Sequence, residues 1–124
     1  MTCSARSILL LDDNADHASL FIQILQNQQF QVRGFTKPLL ALEHFQKNSD
    51  RYDLVICDIR MPRINGYEFV RKIKEIKPEI KVVLTTAYDI DEIEFSSVKD
   101  KVDELIEKPI IGSVLGTMIR KHIS

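Results

Sequence analysis

The stretch "ILLLDDNA" at residues 8–15 places two adjacent carboxylates, Asp12 and Asp13, directly after four large apolar residues. Such an apolar run is typical of a strand that is covered on both faces. Two carboxylates about 4 Å apart repel each other by roughly 4 kcal/mol at an effective dielectric constant near 20, which is large beside the stability of a domain. The sequence therefore predicts a positive charge at this strand end.

The length and composition are typical of one globular domain. A chain of 124 residues buries about two-thirds of the surface that it exposes when unfolded. Cys3 and Cys57 do not suggest a disulfide framework, which favours a reducing, cytoplasmic compartment. No apolar stretch reaches the roughly 18 residues that cross a bilayer, and a net charge of -1 excludes the broad basic surface of a nucleic-acid-binding protein. We expect a single domain over residues 1–124, with residues 1–6 as a tail and no output domain.

Apolar runs of strand length alternate with longer segments of helical period. The strand candidates are residues 7–12, 30–35, 53–58, 80–85 and 102–107. Alternation of five such strands with five helices predicts an α/β fold, a parallel sheet with helices on both faces. The fourth helix, near residues 90–100, has the weakest apolar stripe, and we expect it to be the most mobile.

Polar residues follow the ends of these predicted strands. Asp58 ends the third strand, Thr86 ends the fourth, and Lys108 follows the fifth. Taken singly, each has an ordinary interpretation as a turn residue, a strand residue or a solvated charge. Because the carboxyl ends of parallel strands meet at one edge, where ligands bind in such sheets, their joint placement with Asp12 and Asp13 predicts a functional site.

The types of residue at this edge indicate the chemistry. Three carboxylates without a neighbouring histidine or cysteine favour Mg²⁺, or Mn²⁺, over Zn²⁺. A carboxylate beside such an ion, with the hydroxyl of Thr86 and the ammonium of Lys108 close by, can attack a phosphoryl group. The residues therefore predict that a carboxylate accepts a phosphoryl group.

Four segments, "LLLDDN", "VICDIRMPRINGYEF", "LTTAYD" and "EKP", resemble the receiver domain of two-component response regulators. The likeness covers essentially the whole chain in order and spacing. It implies a flavodoxin-like sheet of strand order 2-1-3-4-5 in a regulatory domain that is not a turnover enzyme. It further implies a histidine kinase or histidine phosphotransfer protein as the phosphodonor, an unknown downstream protein target, and a monomer or phosphorylation-dependent dimer.

The resemblance also implies a role for the acidic residues. Asp58 corresponds to the phosphoacceptor of the family. Asp12 and Asp13 correspond to the acidic pair that holds Mg²⁺ directly or through water. Asp58 and the main-chain carbonyl of Arg60 would complete the set of protein ligands.

Other family positions are matched on the later strands and loops. Thr86 corresponds to the hydroxyl that moves toward the phosphoryl group, and Lys108 to its ion-pair partner. The resemblance implies a cis peptide between Lys108 and Pro109. Gly66 matches the glycine of the loop after the acceptor, where a simple turn is a sufficient structural explanation.

The sequence departs from the family pattern at three places. The family usually has an aromatic residue three positions before the lysine, and Leu105 stands here, which leaves switching through an aromatic ring open. A glycine commonly ends the fourth helix, where this chain has "KDKV" at residues 99–102. Arg60 and Tyr88 border the site, and our hypothesis is that they restrict the attacking water and prolong the phosphorylated state.

Rival functions stay open at this point. A Mg²⁺-dependent aspartyl-phosphate phosphatase normally needs a second acid two residues after its nucleophile, where Arg60 stands. A flavin- or nucleotide-binding module would need a loop rich in glycine or hydroxyl residues after the first strand. A receiver fold that binds partners without a phosphorylation switch is the third alternative, in view of Leu105.

Residues on the predicted helices have weaker functional claims. His17, His44 and His122 lie on different helices, where solvated or capping roles are expected. Leu20 and Ile24 lie off the core stripe of the first helix. They either widen that stripe or contact a histidine-containing phosphodonor.

Overall fold

The computed structural model describes residues 6–87, 91–109 and 112–123. Its strands are β1 (Ser7–Leu11), β2 (Gln31–Phe35), β3 (Leu54–Asp58), β4 (Lys81–Thr86) and β5 (Glu104–Glu107). Its helices are α1 (Ala15–Asn27), α2 (Pro38–Asn48), α3 (Gly66–Ile76), α4 (Glu92–Val98) and α5 (Gly112–Ile123). The strands pair in parallel in the order β2-β1-β3-β4-β5, which confirms the predicted flavodoxin-like fold.

Two apolar layers cover the sheet. On one face, α1 and α5 contribute Phe21 and Leu115, which join Leu10 and Ile56 of the central strands in a buried cluster. On the other face, α2, α3 and α4 pack over the intervening strand residues, with Phe45 of α2 fully buried. Burying one such side chain stabilises the fold by about 1.5–3 kcal/mol. Burial on both faces explains why the central strands have near-continuous apolar sequences.

Side-chain caps and prolines fix where the helices begin and end. The side chain of Asn14 accepts a hydrogen bond from the main-chain N–H of His17 at 3.0 Å, which caps α1 as predicted. Pro38 is the first residue of α2, a position where the missing N–H has no helical partner to lose. Lys77 caps the end of α3 immediately before Pro78.

The fourth helix and the fifth strand are shorter than the sequence predicted. α4 ends at Val98 and continues as a 3₁₀ turn over Lys99–Lys101, so the chain leaves the helix there without a glycine. β5 begins only at Glu104. The main-chain N–H of Val82 in β4 donates to the side-chain carboxylate of Asp103 at 2.8 Å, so it is not available to pair with a main-chain carbonyl of β5. The expected mobility of the fourth helix stays a prediction, and residue 90 lies outside the described residues.

The helices that surround the sheet are short and apolar on one side. α1 has 13 residues and buries Ala18, Phe21 and Leu25 toward the sheet. In the part of the chain that the structure describes, no helix combines the length and the apolar character needed to span a membrane.

Candidate functional site

Three carboxylates meet at the carboxyl edge of the sheet. Asp12 follows β1, is fully buried, and is anchored by a 3.0 Å hydrogen bond from its N–H to the carbonyl of Phe35. Asp58 is the last residue of β3 and is 7% exposed, whereas Asp13 is exposed. One oxygen from each of the three carboxylates lies within 4.8 Å of the others. This all-oxygen arrangement could hold a metal ion.

The predicted positive charge beside these acids is the ammonium of Lys108. Its Nζ lies 2.8 Å from Oδ2 of Asp12 and 3.6 Å from Oδ2 of Asp58, and the side chain is only 10% exposed. The main-chain N–H of Lys108 donates to the carbonyl of Thr86 at 2.8 Å, which carries the strand pairing of β4 and β5 up to this residue. The Lys108–Pro109 peptide is cis, as the resemblance implied.

The environment of Asp58 raises its pKa to about 6. Burial of the carboxylate is the largest cause, and the charges of Asp12 and Asp13 act in the same direction. The ammonium of Lys108 and a hydrogen bond from the main-chain N–H of Arg60 oppose the increase. Burial and the neighbouring acids together outweigh the lysine ammonium, so the net effect of the site favours the protonated form of Asp58.

Of the other residues that the sequence predicted for this site, Thr86 lies on the strand next to Asp58, whereas Leu105 packs elsewhere. Thr86 is the buried last residue of β4, one position beyond the Thr85 that pairs in register with Asp58. Leu105 is partly buried against the apolar layer of α2, α3 and α4. Tyr88 lies outside the described residues. The structure thus brings together the acids and Lys108, and sets Leu105 in a separate apolar environment.

The structure gives His17 a contact that the sequence did not indicate. The side chain is half exposed, in agreement with a solvated residue, but its Nδ1 also lies 3.1 Å from Nζ of Lys108 and 4.0 Å from Oδ2 of Asp12, beside the acids. Its position in the first turn of α1, directly beyond the acidic strand end, is the one signal that could have pointed there. His44 and His122 are also partnered, with Tyr52 at 2.6 Å and with Glu104 at 3.0 Å.

Gly66 also has a more specific role than the turn that the sequence suggested. It does not adopt a positive φ angle. A Cβ atom at this position would lie 2.7 Å from the carbonyl oxygen of Asp58 and 2.8 Å from Cα of Ile59. The start of α3 therefore packs directly against the main chain of Asp58, and only glycine fits this contact.

The geometry of this edge agrees with the comparisons. The family model of the response regulator receiver domain matches residues 8–120. The chain belongs to the receiver-domain family of response regulators. Receiver domains are the phosphorylation-based signalling domains of two-component systems, and nothing in the comparisons favours the phosphatase or nucleotide-binding alternatives.

Relatives and solved structures of receiver domains support this assignment. The transcriptional regulatory protein ZraR of Escherichia coli K12 is 30% identical over 124 residues, which are 100% of this chain and 28% of that protein. A response regulator receiver domain from Clostridium thermocellum superposes with a TM-score of 0.89 at 25% identity, covering 95% of this chain and 94% of that one. The BeF3-activated receiver domain of DrrB from Thermotoga maritima superposes with a TM-score of 0.80 at 26% identity, covering 97% and 98%. The chain spans about a quarter of the length of ZraR.

Proposed function

We propose that this receiver domain accepts a phosphoryl group on Asp58 from a phosphohistidine of a histidine kinase or histidine phosphotransfer protein. An oxygen of the Asp58 carboxylate attacks phosphorus, the bond between phosphorus and the donor nitrogen breaks, and the nitrogen keeps the electron pair. The observation that carries this proposal is the convergence of three carboxylates and one buried ammonium at a single sheet edge.

The donor set fits a magnesium ion, with manganese as an alternative. Asp12, Asp13 and Asp58 offer only oxygen atoms, which Mg²⁺ prefers, and the main-chain carbonyl of Arg60 is the fourth protein ligand that we propose. The exposure of Asp13 leaves water access for the remaining positions. When bound, Mg²⁺ supplies positive charge to the oxygens of the transferring phosphoryl group.

Thr86 and Lys108 are the residues that we assign to the phosphoryl group itself. The hydroxyl of Thr86, at the end of the neighbouring strand, would donate a hydrogen bond to one phosphoryl oxygen. Lys108, now 3.6 Å from Asp58, would form an ion pair with another. The transferred group stays on the protein, so we propose a regulatory role without turnover.

The response to phosphorylation would pass through packing near Thr86 and α4. Leu105 and Phe95 both pack against the apolar layer that includes Val98 of α4. We propose that a shift of Thr86 changes this packing and thereby the affinity for a downstream protein, without an aromatic ring at position 105. We propose that residues 1–124 form one receiver domain, which is a monomer or a phosphorylation-dependent dimer.

The surface beside the site offers a place for the phosphodonor. Leu20 is 54% exposed, and with Ile24 it lines a groove between α1 and the Lys108–Pro109 segment. Lys108, whose Nζ lies 3.6 Å from Asp58, also lines this groove, so a partner seated there would bring its phosphohistidine toward Asp58. We therefore propose these two residues as part of the donor contact.

Incubation with acetyl phosphate and Mg²⁺, followed by intact-mass measurement, tests the proposed function. We expect one added phosphoryl group on the wild-type chain and none on Asp58→Asn or in the presence of a chelator. Asp53→Asn is the matched control, because it changes an aspartate at the opposite end of β3 and is expected to leave the adduct intact. An adduct on Asp58→Asn, or none on the wild type, would contradict the proposal.

A further inference from the structure

Four residues around the acidic edge are joined in a closed ring of hydrogen bonds, two of them from main-chain N–H groups and two between side chains. Oδ1 of Asp12 accepts from the main-chain N–H of Asn14 at 3.0 Å, and Oδ1 of Asn14 accepts from the N–H of His17 at 3.0 Å. Nζ of Lys108 then contacts Nδ1 of His17 at 3.1 Å and donates to Oδ2 of Asp12 at 2.8 Å. The ring therefore connects β1, the beginning of α1 and the residue after β5.

We infer that His17 is a positioning residue, which closes this ring and thereby fixes the ammonium of Lys108 beside Asp58. This role rests on the proposed function, since it matters only if Lys108 meets a phosphoryl group on Asp58.

The distances show why Lys108 needs a partner besides the carboxylates. Its Nζ makes its two shortest contacts with Asp12 and His17, while Oδ2 of Asp58 is farther away at 3.6 Å. A lysine side chain has a flexible stem of four carbons, so its ammonium occupies one position only when hydrogen bonds hold it there. Two anchors on the β1 and α1 side define the position from which the ammonium reaches the acceptor.

The chemistry of the contact sets the direction of the hydrogen bond. A lysine ammonium has only donors, so Nδ1 of His17 is the acceptor in its 3.1 Å contact with Nζ of Lys108. The contact therefore gives the ammonium an acceptor at the beginning of α1 in addition to the carboxylate of Asp12.

The capping geometry explains why His17 can act as an anchor. Its main-chain N–H is held by the cap residue Asn14, whose own N–H is held by Asp12. These two hydrogen bonds hold the main chain of His17 on the same acid, Asp12, that accepts from Lys108. From that position the half-exposed imidazole reaches Nζ of Lys108 at 3.1 Å.

Two measurements test the positioning role. In the first, the rate of Asp58 phosphorylation by acetyl phosphate is measured at limiting donor. We expect His17→Ala to react about fivefold more slowly, the equivalent of one hydrogen bond, and His17→Asn to recover most of the rate because Oδ1 replaces Nδ1 as the acceptor. Gln23→Ala, an exposed change on the same helix, is the matched control.

In the second measurement, the ¹⁵N NMR signal of Nδ1 of His17 is recorded without any phosphodonor, in the wild-type chain and in Lys108→Met. We expect the Nδ1 signal of the wild type to shift in Lys108→Met, because the ammonium that donates to Nδ1 is absent there. An unchanged signal would show that Lys108 and His17 are not hydrogen-bonded. A wild-type rate in His17→Ala, or equal losses of rate in His17→Ala and His17→Asn, would contradict the positioning role. A wild-type chain that takes up no phosphoryl group would instead contradict the proposed function.

Discussion

The contact between Gly66 and the main chain of Asp58 predicts a large effect from adding one methyl group. In Gly66→Ala, the new Cβ would lie 2.7 Å from the carbonyl oxygen of Asp58 and 2.8 Å from Cα of Ile59. Both atoms belong to the main chain at the end of a fully buried strand, so neither can move aside as a flexible side chain would. The N–H of Gly66 also donates to the carbonyl of Ile59 at 2.8 Å, which holds the two segments together.

The expected loss of stability follows from two opposing effects. Overpacking by one methyl group costs about 1–3 kcal/mol, and the better helix propensity of alanine recovers up to about 1 kcal/mol. We expect the free energy of unfolding of Gly66→Ala to fall by about 1–2 kcal/mol, and its Tm by about 3–8 °C. Urea unfolding followed by circular dichroism measures the first quantity, and a thermal scan measures the second.

Gly34→Ala is the matched control for this experiment. A Cβ at Gly34 would lie 2.5 Å from Cδ1 of Ile22, which is the end of a flexible side chain and can rotate away. We expect its free energy of unfolding to stay within about 0.5 kcal/mol of the wild type or to rise, since alanine restricts the unfolded chain more than glycine does. Equal stability of Gly66→Ala and Gly34→Ala would refute the argument that the main chain of Asp58 excludes a side chain at Gly66.

Three further predictions concern other parts of the domain. Arg63 has a φ angle of 75° in the loop after β3, so Arg63→Gly should raise the free energy of unfolding by about 0.5–1 kcal/mol in urea titrations. Hydrogen bonds from His122 and Lys121 lower the pKa of Glu104 below its ordinary 4.5, so Glu104→Gln should destabilise the domain by about 0.5 kcal/mol at pH 6. That difference should disappear as the pH falls through the lowered pKa, and a difference that persists in acid would contradict the assignment. Tyr88→Ala should speed loss of the phosphoryl group from Asp58, as followed by intact mass after donor removal, and an unchanged rate would contradict a role in excluding water.

Much of the fold could be predicted from local patterns. The apolar runs before Asp12 and Asp58 predicted strands that are covered on both faces. The cap at Asn14 could also be predicted, because its side chain accepts a hydrogen bond within the first turn of the helix. The end of α4 was not predicted, because the 3₁₀ turn over Lys99–Lys101 stands where a glycine commonly ends this helix and the local sequence carries no such signal.

The sequence by itself determined which residues stand at the strand ends, and therefore that acids and a lysine would share one edge of a parallel sheet. Only the tertiary structure decided which partners the lysine selects, because His17 and Lys108 are 91 positions apart in the chain and meet where the beginning of α1 and the residue after β5 share the carboxyl edge of the sheet. It likewise decided that Gly66 fills a space too small for a methyl group, a property of two main-chain segments that no residue pattern encodes. Periodicity records which face of an element is buried, whereas distances between elements follow from how all of them pack together.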